Sequence, residues 1–218
     1  MQAIIGSVLV FVGTYTGTGS KGIYVLRFTP ATGVLRETGY TAEAANPSFL
    51  AINPTGTALY AVNETGKTGD QPSGAVSAFA LNPQSGQLRF LNQQLSVGQS
   101  PCHISLDAAG TAAFVANYSS GTVSMLPILE TGVLGPALST SQHEGSGPNK
   151  SRQEAPHAHS ITPDPKTGKL YACDLGIDQI IVYATDAAGL KPVPPPLHTP
   201  PGSGPRHLAF HPSGKTLY

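Results

Sequence analysis

One strand–turn–strand pattern recurs four times along the chain, and no other feature restricts the fold as tightly. The copies occupy residues 46–60, 100–114, 155–171 and 204–218, each with a proline as its second residue and an aromatic as its last. The lead prolines Pro47, Pro101, Pro156 and Pro205 stand 54, 55 and 49 residues apart. The aromatics Tyr60, Phe114, Tyr171 and Tyr218 stand 54, 57 and 47 apart. Self-similarity at such a period is the mark of a chain built from one repeated supersecondary unit.

Each copy reads as a first strand, a turn carrying Pro or Asp and then Gly, and a second strand at the aromatic. A polar turn follows, then a third strand (75–81, 122–128, 179–184) and a short fourth one such as 84–90. The head of the chain repeats the second-to-fourth part of the unit at 8–15, 22–28 and 32–36. No window carries an apolar period of helical length. Four short strands per unit predict an all-β fold, a β-propeller of four-stranded antiparallel blades. The blades fall near 1–45, 46–99, 100–154 and 155–203, with a further one starting at 204–218. A four-stranded sheet cannot bury both faces alone, so blades stack and normally close into a ring. The first strand of blade one is missing and the chain ends as a second strand begins. The expectation is an open, truncated ring whose bare blade face and unpaired edges favour aggregation.

Composition narrows the function classes. The 25 Gly and 20 Pro would suit disorder, but Val/Ile/Leu/Tyr/Phe runs between them favour strands joined by turns. Twelve basic residues balance twelve acidic ones, so neither nucleic acid nor an anionic membrane is an expected partner. Cys102 and Cys173 lack metal or redox spacing and sit in strand-like contexts, which predicts buried, reduced thiols. The apolar start at 1–12 has no preceding Lys or Arg and no cleavage-site pattern. No stretch reaches membrane-spanning length, so the expected location is the cytoplasm.

Several stretches together resemble one known family. They are Val12-Gly-Thr-Tyr-Thr16, Asn46-Pro-Ser-Phe-Leu-Ala51, Leu59-Tyr-Ala-Val-Asn-Glu64, Ser100-Pro-Cys-His103, Val115-Ala-Asn-Tyr118, Pro156-His-Ala-His159 and Gly204-Pro-Arg-His-Leu-Ala-Phe-His-Pro212. In this order they look like the propeller lactonases: 6-phosphogluconolactonases and the related fungal carboxymuconate-lactonising enzymes. The resemblance implies a seven-bladed ring, of which about four blades are present, and hydrolysis of a phosphorylated sugar lactone without a cofactor, the alternative within the family being reversible lactonisation of a carboxymuconate by the same residues. The family also carries an acidic residue just after the strand that begins at Leu217-Tyr218. By register it falls beyond the present terminus, so the chain alone is expected to be inactive.

Opening a lactone requires a base to activate water and a donor to stabilise the oxyanion, with a cationic fork for any phosphate. The position after each lead proline holds Ser48, Cys102, His157 and Arg206, which predicts that these four meet at one channel mouth. His157 is one candidate base. His159, two residues on, would share its strand face, and the alternative for either is a channel histidine bound to a neighbouring blade. Arg206 is the candidate contact for oxyanion, carboxylate or phosphate, against an ion pair between blades. His103 and His207 share the next repeat position, as substrate contacts or as blade-to-blade links. Glu64 is a second pocket acid or a solvated turn carboxylate, and Tyr15 and Asn117 are rim candidates. Pro156-His-Ala-His159 lacks further ligands at metal-binding spacing, so no metal is expected. The polar insert 142–154 reads as a flexible loop, or else as a lid bringing Lys150 and Arg152 to an anionic substrate. The rival from another class is a non-catalytic binding propeller, against which the loading of His and Arg at one rim argues.

Overall fold

The computed structural model describes residues 6–218, and among them no helix occurs. The reading of the apolar start as lacking a leader falls partly on residues 1–5, outside the described range. Sixteen strands form four antiparallel sheets, each a meander in chain order. The first holds β1 (Val8–Val12), β2 (Gly22–Thr29) and β3 (Val34–Glu43). The second holds β4 (Leu50–Ile52), β5 (Ala58–Asn63), β6 (Ala75–Leu81) and β7 (Leu88–Leu95). The third holds β8 (Pro101–Leu106), β9 (Ala112–Asn117), β10 (Thr122–Pro127) and β11 (Ser139–Gln142). The fourth holds β12 (Ala158–Pro163), β13 (Leu170–Asp174), β14 (Gln179–Asp186) and β15 (Gly189–Pro192), with β16 (Leu197–His198) pairing the start of β14. Beyond it the chain makes one further bridge, Phe210 to Leu217.

Strand bounds differ from expectation mainly at the outer edges. The fourth strand of the second sheet begins at Leu88, after the Gly86 turn, and β3 runs on to Glu43. These outer strands carry mixed polar sequence, so their ends are set by ladder pairing rather than by apolar pattern.

Consecutive sheets pack face to face. Tyr60, Val62 and Val76 of the second sheet share a core with Ile104, Val115 and Leu126 of the third. Phe114, Ala116 and Val123 of the third meet Ile161, Leu170, Ala172 and Tyr183 of the fourth. Ile23 of the first sheet meets Leu59, Ala61 and Phe79 of the second. The strands β5 and β9 are therefore buried on both faces, which is why they read as unbroken apolar runs without alternation. The repeat aromatics Tyr60 and Phe114 fill these layers, each worth about 1.5–3 kcal/mol of burial. The innermost strands β4, β8 and β12 touch one another in sequence, so their N-terminal ends gather on one side. Both cysteines are free and buried. Among the described residues no helix is long and apolar enough to cross a membrane.

Candidate active site

The first strands of the blades fix the site. Pro101 pairs opposite Asn117, and a bulge then places Cys102 outside the regular ladder before His103 meets Ala116. In the next blade Ala158 pairs opposite Asp174, and the same bulge falls on His159 before Ser160 meets Cys173. Such a bulge re-aims one side chain out of the sheet. His159, not His157, thus occupies the place of Cys102. Counted back from the aromatics, Ser48, Cys102, His159 and Arg206 each lie 12 residues upstream. The prolines misalign the third copy by two residues, because Pro156 precedes its strand whereas Pro101 begins one.

The four equivalent residues converge. Ser48, Cys102, His159 and Arg206 line one cavity of about 250 Å³, together with Tyr15, Phe49, Glu64 and His207. Of the expected site residues, His159, Arg206, His207, Glu64 and Tyr15 are thus brought together. The other three do not line it, and for His157 and His103 the structure shows the link to a neighbouring blade that was the alternative reading. The buried His157 ring stacks on Tyr118 at 4.5 Å, with Nδ1 3.1 Å from the Tyr118 carbonyl and Nε2 3.3 Å from Glu154 Oε1. It stands behind the cavity wall, since the bulge breaks the alternation that would have put it on the face of His159. Asn117 is fully buried, and its amide donates to the Ser96 carbonyl and to Thr122 and Ser124. Asn63 and Asp174 hold the equivalent place and likewise tie up their own blades, so this position is an anchor and not a rim contact. His103 is buried between blades, where its Nδ1 accepts from the Ile161 amide.

Three imidazoles form a chain at this end: His159 lies 5.2 Å from His207 and His207 lies 5.8 Å from His103, ring to ring. Burial, followed by the Arg206 guanidinium, pushes His159 down to about 4. The same two causes hold His207 below the ordinary imidazole range. Burial first, then His207 and His159, take His103 down to about 3. All three imidazoles are therefore neutral at physiological pH. Cys102 is pushed up to about 12 by burial and the nearby Glu64 charge, with Arg206 opposing, so it stays a thiol and packs on the backbone of His159. Among the described residues, no cluster of three or more His, Cys, Asp or Glu side chains is arranged to hold a metal ion.

The cavity also holds a carboxylate, Glu64. Glu64 Oε2 accepts hydrogen bonds from Tyr15 OH at 2.9 Å and from the Ser48 hydroxyl. Asn46, at φ 42°, fixes this corner: its Oδ1 accepts from Thr16 N, and its Nδ2 donates to the Glu64 carbonyl. Gly13 lets the Tyr15 turn approach, because a Cβ there would lie 1.9 Å from the Pro47 carbonyl oxygen. Burial and the Glu64 hydrogen bond raise the Tyr15 pKa, which keeps its O–H as a donor.

The insert expected as a flexible loop is fastened at both ends. His143 is buried between Asp174 Oδ2 at 2.6 Å and Tyr183 OH at 2.9 Å. The buried Gln153 amide donates to the Leu175 carbonyl and to Asp178 Oδ1. Asp178 also accepts from Gly202 N and Gly204 N, so it holds the segment that delivers Arg206. Arg152, next to the fastened Gln153, adds a smaller downward push on His159.

Sequence reasoning passed over Tyr118, whose ring lies edge-on to His159 at 5.7 Å, and the cavity residue Phe49. Tyr118 was findable: it follows Asn117 as Glu64 follows Asn63, one step past the buried anchor.

A family model of lactonases with the seven-bladed β-propeller matches residues 9–218. The chain belongs to this family. It is 38% identical over 208 residues to a 6-phosphogluconolactonase of Bacillus subtilis, covering 95% of this chain and 58% of that one. A 6-phosphogluconolactonase of Formosa agariphila is 32% identical over 215 residues, with 96% of this chain and 60% of that one covered. Among solved structures, the periplasmic gluconolactonase of Pseudomonas aeruginosa superposes with a TM-score of 0.89 at 36% identity, over 97% of this chain and 60% of that one. This lactonase-family chain thus spans 58% and 60% of the two curated relatives' lengths.

Proposed function

We propose that the chain supplies the reaction centre of a lactone hydrolase acting on a sugar lactone, with 6-phosphogluconolactone as the leading substrate. In this reading the four sheets and the bridge after them are consecutive blades of a seven-bladed ring, and the protein works in the cytoplasm. The observation that carries it is the meeting of neutral His159 and cationic Arg206 in one cavity. Relatives named 6-phosphogluconolactonase support it.

His159 takes a proton from water as the oxygen attacks the lactone carbonyl. Arg206 receives the negative charge that develops on the carbonyl oxygen, or the anionic substituent of the substrate. The tetrahedral intermediate then collapses with loss of the ring oxygen, which takes up a proton. A base at about 4 is unprotonated at neutral pH but weak, so transition-state electrostatics from Arg206 must contribute most of the acceleration. His207 lies beside both groups and completes the polar wall. The test follows acid release from freshly prepared 6-phosphogluconolactone by the protein completed with the remaining blades of this reading, as wild type and as Arg206→Ala. No acceleration over the spontaneous rate, or equal rates for both proteins, defeats the reading.

A further inference from the structure

The cavity is lined by groups from both halves of the chain, with Tyr15, Ser48 and Glu64 drawn from the first and His159, Arg206 and His207 from the second. Both donors to Glu64 act on Oε2. Among the described residues no protein donor reaches Oε1. Among those residues the carboxylates within 4.0 Å of a Lys, Arg or His nitrogen are Asp174 at His143, Glu154 at His157 and Asp186 at Lys191, so neither Glu64 nor Arg206 has such a partner. The Glu64 backbone is fixed as well, its amide donating to the Asn46 carbonyl at 3.1 Å while its carbonyl accepts from Asn46 Nδ2 at 3.1 Å. A turn carboxylate held at backbone and side chain, with one oxygen left open inside a cavity, is arranged to receive a donor from a ligand.

We propose that Glu64 is the specificity-determining residue of this cavity, accepting hydroxyl protons of a polyhydroxylated lactone ring and excluding polycarboxylates. The inference rests on the lactonase reading and adds its substrate class. A carboxylate only accepts hydrogen bonds. Ring hydroxyls of a sugar lactone supply donors, while the carbonyl and any anionic substituent lie toward Arg206. A substrate bearing several carboxylates would satisfy Arg206 but place like charge against Glu64. Specificity here comes from a repulsive element as much as an attractive one. Tyr15 and Ser48 act through Glu64 as positioning residues.

Binding is measured by calorimetry on the chain itself with two probes, 1,5-anhydroglucitol as a neutral ring polyol and tricarballylate as a polycarboxylate. Wild type is expected to prefer the polyol. Glu64→Gln, isosteric but uncharged, is expected to shift the preference toward tricarballylate by roughly 10- to 100-fold, the scale of a hydrogen bond to a charged group. Tyr15→Phe, at an exposed ring whose loss spares the core, weakens the polyol and leaves tricarballylate excluded. An unchanged ratio in Glu64→Gln, or a wild type that prefers the polycarboxylate or binds neither probe, overturns the inference even where lactone turnover is intact. Absence of lactone turnover in the completed protein, with the probe preference retained, would defeat the lactonase reading and leave Glu64 as the selector of a polyol binding site alone.

Discussion

Cys102 and His159 occupy the same bulge in neighbouring blades, and the Cys102 thiol donates to the His159 carbonyl at 3.4 Å. The thiol fills the place that presents the imidazole one blade later. Stacking the blades thus brings residues 57 positions apart into contact and leaves the His159 ring facing the cavity beside Arg206.

Removing the base should separate the two histidines of the Pro-His-Ala-His stretch. His159→Gln is expected to lower kcat/KM for lactone opening by roughly 10²- to 10⁴-fold, the range of general-base catalysis. His157→Phe keeps a ring on Tyr118 and should leave turnover close to wild type. Steady-state kinetics of the two variants tests the register, and a larger loss in His157→Phe would contradict it.

The pH profile carries a second signature. As the proposed base His159 must be unprotonated, and burial with Arg206 holds it down to about 4. The acid limb of kcat/KM, which reports the free protein, should therefore fall only as pH drops through about 4. An anionic substrate on Arg206 cancels one of the two causes, so the limb of kcat should lie at higher pH. Coincident limbs near the ordinary imidazole value would exclude His159 as the base.

His103 should make folding acid-sensitive. Its folded value of about 3 lies below the unfolded value of 6.5, so the unfolded chain binds the extra proton first as pH falls. Stability is unaffected above 6.5 and is lost as pH falls from there toward 3, at a limiting rate of about 1.4 kcal/mol per pH unit. His103→Phe copies Phe49, the equivalent residue of the preceding blade, and should flatten that part of the curve. Denaturant melts between pH 3 and 7 measure the difference.

Asp178 is expected to join stability to binding. Burial opposes its charge, but the amides of Gly202 and Gly204 and the Gln153 side chain together hold its pKa below the ordinary carboxylate value. Asp178→Ala strands these donors at about 1–3 kcal/mol for each that stays buried and loosens the segment carrying Arg206. The melting temperature should drop, with KM rising more than kcat falls. A lowered melting temperature with unchanged KM would limit Asp178 to a structural role.

Much of the architecture was legible because it depends on local pattern. Apolar runs at 58–63 and 112–117, bounded by Gly, Pro and Asn turns, specify strands whatever lies around them. The cavity was legible only in part. Both spacings were visible in the chain, but Pro156 lies in the connection before β12, whereas Tyr171 lies inside the core-forming β13. Tyr171 keeps register because ladder pairing with Thr162 and Val182 holds it, while a loop proline is free to drift.

The linear order of residues therefore determined the repeat, the all-β class and the position in each unit from which site residues come. It did so because strand formation and burial follow from short apolar runs and the turn chemistry that bounds them. Only the stacked sheets decided that His159 reaches the cavity, that His157 turns onto Tyr118, and that Glu64 meets Tyr15. Those outcomes rest on contacts between blades and on bulges that offset a strand by one residue, where a side chain's direction is set by its neighbours in space.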